Sequence, residues 1–318
     1  MIHFANKNSL KVFAGTSHPK LAKEIARYLK LGMGKMVIKK FANGEIYAKP
    51  DESVRGCDVF IVQTGGAVVN ESMMELFIML DAFKRSFAHH IHVIMPYFAY
   101  GRQDRVASAH EPISARLLAD LISTAGATHL VTLSLHSGQT QGFFNFPVDN
   151  LHTHRLFLNY LKKKRLKNLV VVSTDAGGAK AAKRLADELG VEIAIVNKTR
   201  PSHNQAEANS IVGEVKGKTP IIFDDMIDTG GSVVAAVGAV RAAGAKDEIY
   251  LTATHALFSD PCIERLNSLK LKEIIVTDSL PITCENQLSN LTVISVAPFL
   301  AGVIKNIHED KPISPLLK

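Results

Sequence analysis

The chain has 318 residues, of which 47% are hydrophobic and 21% are charged, as expected for a soluble globular enzyme of about two domains. Its three cysteines, Cys57, Cys262 and Cys284, lie far apart, which argues against a disulfide framework or a thiolate zinc site and favours a reducing compartment. No apolar run approaches the roughly 20 residues of a membrane span, and the N-terminus lacks the long apolar core of a secretion signal. We therefore expect a cytoplasmic protein without a membrane partner. The net charge of +7 comes from scattered residues, which suits small anionic substrates better than nucleic acid.

Apolar runs alternate with helical patterns along the whole chain, which predicts an α/β fold with mainly parallel sheets flanked by helices. The predicted strands include Leu10–Ala14, Val59–Gln63, His92–Pro96, Leu130–Leu133, Leu169–Ser173, Ile193–Val196, Pro220–Phe223 and Ile249–Thr252. The predicted helices include Lys20–Leu29, Glu71–Arg85, Ser114–Ala125 and Ala179–Leu189.

Three features of the first half need an interpretation. Asn43-Gly44-Glu45 is typical of a hairpin turn between the segments 37–41 and 46–49. The histidines at 89, 90 and 92 fit a helix-to-strand junction better than a metal site. After the strand His92–Pro96, the aromatic and arginine-rich segment Tyr97–Arg105 can stack on a flat base and pair with phosphates.

Two polar side chains are predicted at the carboxyl ends of strands, the edge of an open α/β sheet where ligands bind. His136 follows the strand Leu130–Leu133, and Asp175 follows Leu169–Ser173 and precedes two glycines. Together they can serve one magnesium-bound polyphosphate. Taken alone, His136 also fits a buried, hydrogen-bonded imidazole.

Cations occur at two places in the second half. The run Lys162–Arg165 fits the solvated end of a helix, where positive charge complements the dipole. Lys198 and Arg200 open a polar stretch, Pro201–Ser210, that resembles a mobile loop. Such a loop can place its cations next to the negative charge that develops in a transition state. The alternative is a solvated surface loop.

The most informative segment is 219–232. Its apolar run ends in Asp224 and Asp225, Asp228 follows, and then comes the loop Thr229-Gly230-Gly231-Ser232 before a predicted helix, Val233–Ala243. Glycines and the first N–H groups of a helix form a phosphate cradle, and the carboxylates suit sugar hydroxyls or a bridging cation. The spaced glycines and the Gly-Lys-Ser/Thr ending of a Walker A loop are absent. The segment resembles the fingerprint of proteins that bind phosphoribosyl diphosphate (PRPP), in which a ribose 5-phosphate moiety occupies this turn.

The chain also contains an internal similarity. A helix beginning at Ser114 and another beginning at Ser232 both end in Ala-Gly-Ala, and each precedes a strand that leads to a histidine, His136 or His255. Coincidence between two alanine-rich helices is the alternative to two similar tandem domains. We place the junction near Phe146–Asn150, giving domains 1–149 and 150–318, with the C-terminal helix packing back on the first.

With these segments in hand, the chain resembles the ribose-phosphate pyrophosphokinase (PRPP synthetase) family over nearly its whole length. The matching segments are Phe41–Ile46, Glu52–Asp58, Met74–Lys84, Pro96–Arg105, Leu135–Asp149, Asp175–Gly178, Lys198–Arg200, Asp224–Ser232 and Ser295–Pro298. The resemblance implies two tandem phosphoribosyltransferase-like domains, MgATP and ribose 5-phosphate as substrates, PRPP and AMP as products, and hexamers built from dimers with shared active sites.

The resemblance also implies roles for individual residues. It assigns ATP binding to Asn43, Glu45, Arg102 and Gln103, magnesium to His136 and Asp175, and stabilisation of the transferred group to Lys198 and Arg200. It assigns ribose 5-phosphate to Asp224, Asp225, Asp228, Thr229, Gly230, Gly231 and Ser232.

The sequence departs from the family pattern at three places, and two other functions remain as alternatives. Ser134 stands where many members carry an aspartate, Asn43 replaces a common aspartate, and the segment 105–110 lacks the usual further basic residues. A catalytically silent regulatory homologue would bind nucleotide without turnover. A PRPP-consuming phosphoribosyltransferase would share the Asp224–Ser232 segment but would leave Arg102-Gln103 and Lys198-Arg200 without a role.

Overall fold

A computed structural model of the chain describes residues 9–199, 208–284 and 287–317. These residues form two compact units. The first unit comprises the described residues up to Leu151, together with Ser279–Pro281 and those from Ser295 onward. The second comprises the described residues of His152–Asp278 and Ile282–Ile294.

The first unit is built on a five-stranded parallel sheet and a separate hairpin. Its strands are β1 (Leu10–Ala14), β2 (Met36–Lys40), β3 (Ile46–Pro50), β4 (Asp58–Val62), β5 (His90–Ile94), β6 (His129–Leu133) and β7 (Val148–Leu151). The sheet order is β1-β4-β5-β6-β7, and β2 pairs with β3 antiparallel. Three helices, α1 (Pro19–Tyr28), α2 (Val69–Arg85) and α3 (Ser114–Ala125), connect these strands. Every residue of β4 is buried, as expected for a parallel strand covered on both faces.

The second unit is built on a seven-stranded sheet in the order β10-β9-β8-β11-β12-β13-β14, in which only the pairing of β10 with β9 is antiparallel among the described residues. Its strands are β8 (Leu169–Ser173), β9 (Glu192–Thr199), β10 (Ala208–Val212), β11 (Thr219–Ile227), β12 (Tyr250–Ala256), β13 (Glu273–Thr277) and β14 (Leu291–Ile294). Its helices are α4 (His154–Lys164), α5 (Ala179–Leu189), α6 (Gly231–Ala242) and α7 (Cys262–Ser268). The last α-helix of the described residues, α8 (Ala297–His308), belongs to the first unit and packs on α1.

The predicted α/β class with mainly parallel sheets is confirmed. All eight predicted strands and the named helices are present, some with the predicted ends and the others with ends a few residues away. Both Ala-Gly-Ala segments end their helices as predicted, because Gly126 and Gly244 adopt positive φ angles of 122° and 77°. Lys162–Lys164 form the last turn of α4, as expected. No helix of the described ranges is long and apolar enough to cross a membrane.

Three local predictions are wrong. The pattern is not interrupted throughout Phe146–Asn150, since residues 148–151 form β7, which pairs with β6 at the edge of the sheet. The helix predicted from Val233 starts two residues earlier, at Gly231. Ser210, placed in a polar loop, lies in β10, while residues 200–207 of that stretch fall outside the described ranges.

Candidate active site

The acidic segment of the second unit lies in strand β11. The predicted strand stopped at Phe223, but β11 continues to Ile227, so Asp224 and Asp225 are part of the strand and not of a turn. Pairing with β12 extends the strand, since Asp224 is in register with Ala253 and Ile227 with Ala256. Both carboxylates are partly buried.

The Asp228–Ser232 loop connects β11 to α6. Gly230 occupies the N-cap position with φ 78° and ψ 1°, a left-handed conformation that glycine adopts at least cost. A Cβ atom on Gly230 would lie 3.3 Å from Sγ of Cys262, on α7. Arg265, also on α7, donates a hydrogen bond from Nη1 to the Thr229 carbonyl oxygen at 2.9 Å. Helix α7 therefore fixes the loop, and the amide end of α6 begins directly behind it, in the arrangement that binds phosphate in other proteins.

The geometry of this loop makes Gly230→Ala a specific test. Alanine at a left-handed position costs about 1 kcal/mol or more, and its methyl group would press on Cys262. We expect a lower thermal unfolding midpoint and a KM at least fivefold higher for the phosphate-bearing substrate that this loop would bind, measured by calorimetry and initial rates.

Gly238→Ala is the matched control for this prediction. Gly238 lies within α6, and a Cβ atom on it would meet no described residue beyond its own helix within 4 Å. Alanine should therefore stabilise the helix by about 0.5–1 kcal/mol. Equal behaviour of the two variants would show that the conformation of Gly230 does not matter.

Asp224 is the most perturbed carboxyl group at this edge. Thr174 Oγ1 donates a hydrogen bond to Asp224 Oδ2 at 2.7 Å, and the Asp225 backbone N–H donates to Oδ1 at 2.9 Å. Burial, together with the adjacent Asp225 carboxylate, raises the pKa of Asp224 well above its usual range, although the hydrogen bond from Thr174 opposes this shift. Ligand binding that brings positive charge or hydroxyl donors to this pair would relieve the repulsion.

Asp175 lies at the carboxyl end of β8, the strand next to β11. Its side chain is exposed, and Oδ1 accepts a hydrogen bond from the Gly178 backbone N–H at 2.9 Å. This bond fixes the carboxylate at the start of α5. Asp175 and the Asp224–Ser232 segment therefore share one edge of the sheet.

The two predicted cationic residues are only partly described. Lys198 belongs to β9, the other neighbour of β8, and its backbone pairs in register with Asn209 of β10. The side chain of Lys198 and all of Arg200 lie outside the described residues.

In the first unit, His136 follows β6 at the carboxyl edge of the sheet and is exposed. Two hydrogen bonds from β7 hold the turn before it. Leu135 donates its N–H to Asn150 Oδ1 at 3.0 Å, and Ser134 donates its N–H to the Leu151 carbonyl oxygen at 2.9 Å. Ser134 has a φ of 41°, so these bonds maintain a backbone conformation that serine rarely adopts. The buried-imidazole alternative for His136 is wrong.

Asn150 therefore provides a test of how His136 is positioned. We expect Asn150→Ala to lower kcat about three- to tenfold, because the turn loses its side-chain acceptor. Asn150→Asp keeps an acceptor oxygen for the Leu135 N–H, and it should retain most of the rate. Steady-state kinetics at saturating substrates would check this, and identical losses in the two variants would contradict it.

Arg102 and Gln103 follow β5, the strand next to β6, and both are exposed. The Gln103 N–H donates to the Tyr100 carbonyl oxygen at 3.0 Å, and the Gln103 carbonyl accepts from the Ala115 N–H at 3.1 Å. The Tyr100 hydroxyl donates to Asn70 Oδ1. The segment is thereby attached to the start of α3 and to α2.

Asn43 and Glu45 lie in the predicted hairpin turn, which is confirmed between β2 and β3. Asn43 Oδ1 accepts a hydrogen bond from the Glu45 N–H at 3.2 Å, and both side chains are exposed. An ion pair between Lys40 and Glu71 connects the hairpin to α2.

Apart from Lys198 and Arg200, the predicted site residues form two groups. In the second unit they are Asp175, Asp224, Asp225, Asp228, Thr229, Gly230, Gly231 and Ser232; in the first unit they are His136, Arg102 and Gln103, with Asn43 and Glu45 on the hairpin. Sequence reasoning missed three supporting residues, Thr174, Asn150 and Arg265. Thr174 stands beside Asp175 in the sequence, but nothing in the sequence indicates that Asn150 or Arg265 contacts a distant loop.

Comparison with known proteins identifies the family. Residues 10–126 match the family model of the N-terminal domain of ribose phosphate pyrophosphokinase, and residues 196–318 match that of the phosphoribosyl synthetase-associated domain. A ribose-phosphate pyrophosphokinase from Bacillus caldolyticus is 46% identical over 310 residues, which is 98% of each chain. The chain belongs to the ribose-phosphate pyrophosphokinase family.

Further relatives have the same extent. The ribose-phosphate pyrophosphokinase of Oceanobacillus iheyensis is 45% identical over 97% of both chains. The crystal structure of phosphoribosylpyrophosphate synthetase from Mycobacterium smegmatis superposes with a TM-score of 0.90 at 44% identity, covering 95% of this chain and all of that one. The protein is therefore an enzyme of the ribose-phosphate pyrophosphokinase class, and the family resemblance drawn from its motifs is confirmed.

Proposed function

We propose that the protein transfers the pyrophosphoryl group of MgATP to the anomeric hydroxyl of ribose 5-phosphate, giving PRPP and AMP. The observation that carries the proposal is the succession of β11 carboxylates, Asp228–Ser232 loop and α6 amide end in a chain of this family. In a sugar phosphate, the hydroxyls would bind to the carboxylates, and the phosphate dianion would bind to the loop and the amide end of α6.

The 5-phosphate would lie at the start of α6. Backbone N–H groups there point outward, and the Thr229 and Ser232 hydroxyls add donors. Asp224 and Asp225 would accept hydrogen bonds from the ribose hydroxyls, which are neutral and do not repel the carboxylates. Asp228 would complete this set at the entrance of the loop.

ATP would use the residues of the first unit. Arg102 suits bidentate contact with phosphate, Gln103 and Asn43 can pair with polar base edges, and Glu45 can accept from an amino group. All four side chains are exposed and belong to segments held by backbone hydrogen bonds.

The residues proposed for magnesium fit a hard cation bound mainly through oxygen. Asp175 presents an exposed carboxylate whose Oδ1 is held by Gly178, and His136 adds an exposed imidazole nitrogen at a sheet edge. When bound with ATP, Mg²⁺ neutralises polyphosphate charge. A small number of protein ligands is usual for Mg²⁺ because it retains water and phosphate oxygens.

Catalysis would then rest on alignment and charge. The ribose anomeric oxygen attacks the β-phosphorus in line with the departing AMP oxygen, so one P–O bond forms as another breaks and AMP leaves. Lys198 and Arg200 would stabilise the charge on the transferred group, and the hydroxyl proton would pass to solvent. Fixing the ribose at β11 and ATP on its own loops accounts for a large part of the rate.

We further propose that the enzyme works in the cytoplasm in nucleotide biosynthesis, as a hexamer built from dimers with shared active sites. Light scattering of the purified protein tests the assembly.

The decisive assay is AMP formation from ATP and Mg²⁺ with and without ribose 5-phosphate. AMP that appears only with the sugar phosphate, in equal amounts to PRPP, would support the proposal. ATP binding without turnover would instead favour a regulatory homologue, and pyrophosphate release from PRPP and a free base would favour a phosphoribosyltransferase.

The same assay should be repeated with inorganic phosphate and ADP. The segment 105–110 lacks further basic residues, and the Ala107 and Ser108 N–H groups donate to the Glu111 carboxylate at 3.0 and 2.9 Å. Glu111 thus places negative charge against this loop. A rate that does not respond to phosphate would indicate altered regulation.

A further inference from the structure

A second group of chemically active side chains lies at the opposite edge of the first sheet. Asp58, His90 and His129 are the first residues of β4, β5 and β6, whereas His136 follows the other end of β6. A five-residue strand spans about 17 Å, so this group is well separated from the candidate active site.

The strand register places these side chains on one face. Asp58 is paired with His90, and His92 is paired with His129, across adjacent parallel strands. His90 and His92 are two residues apart on β5, so both point to the same side of the sheet. Asp58, His90 and His92 each have a possible ligand atom, and these three atoms lie within 4.8 Å of one another.

From this geometry we propose that Asp58, His90 and His92 form a binding site for a divalent transition-metal ion of the Zn²⁺ type. Two imidazoles and one carboxylate are a common zinc ligand set, with a fourth position left for water or a further histidine. The distance from His90 Nδ1 to Asp58 Oδ1 is 3.3 Å, about the ligand separation across a tetrahedral zinc ion. The site does not depend on the proposed function.

Hydrogen bonds behind His92 prepare it as a ligand. The Asp149 carboxylate accepts from His129 Nε2 at 3.1 Å, so neutral His129 has its lone pair on Nδ1. His92 must then donate from Nδ1 to His129 Nδ1, at 3.1 Å, which leaves the lone pair of His92 on Nε2. Such a carboxylate–histidine chain fixes the tautomer and increases the basicity of a metal ligand.

The residues around His92 also hold its ring in place. Its ring stacks on Phe60 with centroids 4.2 Å apart and planes 9° from parallel, which fixes the orientation of the imidazole. His92 is also buried, with 7% of its surface exposed, so packing holds the ring in the position that its hydrogen bond to His129 sets.

Two further histidines surround the Asp58 carboxylate. His89 Nδ1 lies 3.0 Å from Asp58 Oδ1, and His308 Nδ1, on α8, lies 2.9 Å from Oδ2. Either can provide the fourth ligand or hold the carboxylate in place. The side chains of His89 and His90 are 49% and 50% exposed, so the site is open to ions from solvent.

Equilibrium dialysis of untagged, metal-free protein against ZnCl₂, without ATP and with excess Mg²⁺, tests the proposal. We expect the double variant His90→Ala/His92→Gln to bind one zinc ion fewer per chain than the native protein. The variant His136→Ala and the exposed control His110→Ala should bind as many zinc ions as the native protein. Co²⁺ in place of Zn²⁺ should give visible absorption bands of a histidine-bound, low-coordination site in the native protein and in the two single controls, but not in the double variant.

Two milder variants keep the test valid if the double variant misfolds. His90→Ala removes a half-exposed side chain, and it should weaken Zn²⁺ binding at least tenfold and abolish the Zn²⁺-dependent rise in Tm. Asp149→Asn changes no ligand, and it should weaken binding about tenfold because it disturbs the chain behind His92. Native zinc stoichiometry and affinity in His90→Ala would overturn the proposal, as would a native protein that binds no zinc at this site.

Discussion

Asp224→Asn should lower kcat/KM for ribose 5-phosphate at least a hundredfold, which corresponds to a loss of about 2.7 kcal/mol of transition-state stabilisation. The same substitution should make the protein more stable at pH 8. The loss of activity follows from removing a carboxylate acceptor for a ribose hydroxyl. The gain in stability follows because the native protein holds two adjacent carboxylates, Asp224 and Asp225, partly buried side by side. Stability given up at a functional site in this way is common in enzymes.

The sign of the pH dependence can be stated. Folding raises the pKa of Asp224 above its usual value of 3.8, so the folded state holds this proton more tightly than the unfolded state. The carboxyl group therefore costs stability increasingly as the pH rises from about 4 through the raised pKa. Asp224→Asn should match the native Tm near pH 4 and exceed it by a few degrees at pH 8, for a gain of about 1 kcal/mol.

Calorimetry at several pH values and initial rates would measure both effects. Asp247→Asn is the matched control, because the Asp247 side chain is 90% exposed and should change neither quantity appreciably. An Asp224→Asn protein that is less stable than the native one at pH 8 would refute the electrostatic explanation. Native activity in the same variant would refute the proposed contact with ribose.

Lys198→Ala should lower kcat at least tenfold, about 1.4 kcal/mol, with little change in the affinity for ribose 5-phosphate. The reason is that an ammonium group which meets charge developing on the transferred phosphates acts in the transition state and not in sugar binding. Lys198 lies on β9, next to the β8 strand that leads to Asp175, so its position at the sheet edge fits this role.

Single-turnover rates and binding of ribose 5-phosphate by calorimetry would separate the two effects. Lys246→Ala removes an exposed lysine of the same unit, and it serves as the control for net charge. If Lys198→Ala turned over at the native rate, the transition-state role would have to be abandoned. A raised KM with an unchanged kcat would move the residue to substrate binding.

The sequence predicted most of the central sheets because parallel strands covered on both faces are short and almost wholly apolar. β1 and β8 were predicted with their observed ends, as were α3 and α5. β7 was missed because Val148–Leu151 contains Asp149 and Asn150, whose polar side chains suited an interruption better than a strand. Strand β11 was predicted too short for the same reason, since Asp224 and Asp225 are unfavourable in a strand unless a partner such as β12 extends it.

The sequence predicted those parts of the candidate site whose functional residues lie close together in one short segment. Glycines, carboxylates and a helix start within Asp224–Ser232 are sufficient to indicate a phosphate cradle. The contacts of Asn150 with Leu135 and of Arg265 with Thr229 were not predictable, because each joins residues 15 or 36 positions apart through tertiary packing. The histidine cluster was likewise interpreted only as a junction, since its ligand geometry depends on the register between β4 and β5.

The placement of α8 has a consequence for synthesis on the ribosome. The helix packs on α1 and brings His308 to Asp58, although 250 positions separate these two residues along the chain. The face of α1 on which α8 packs therefore stays uncovered until the rest of the chain has been translated. A chaperone that acts early would meet this apolar surface, and a gene cut after residue 151 would encode a fragment that never closes it.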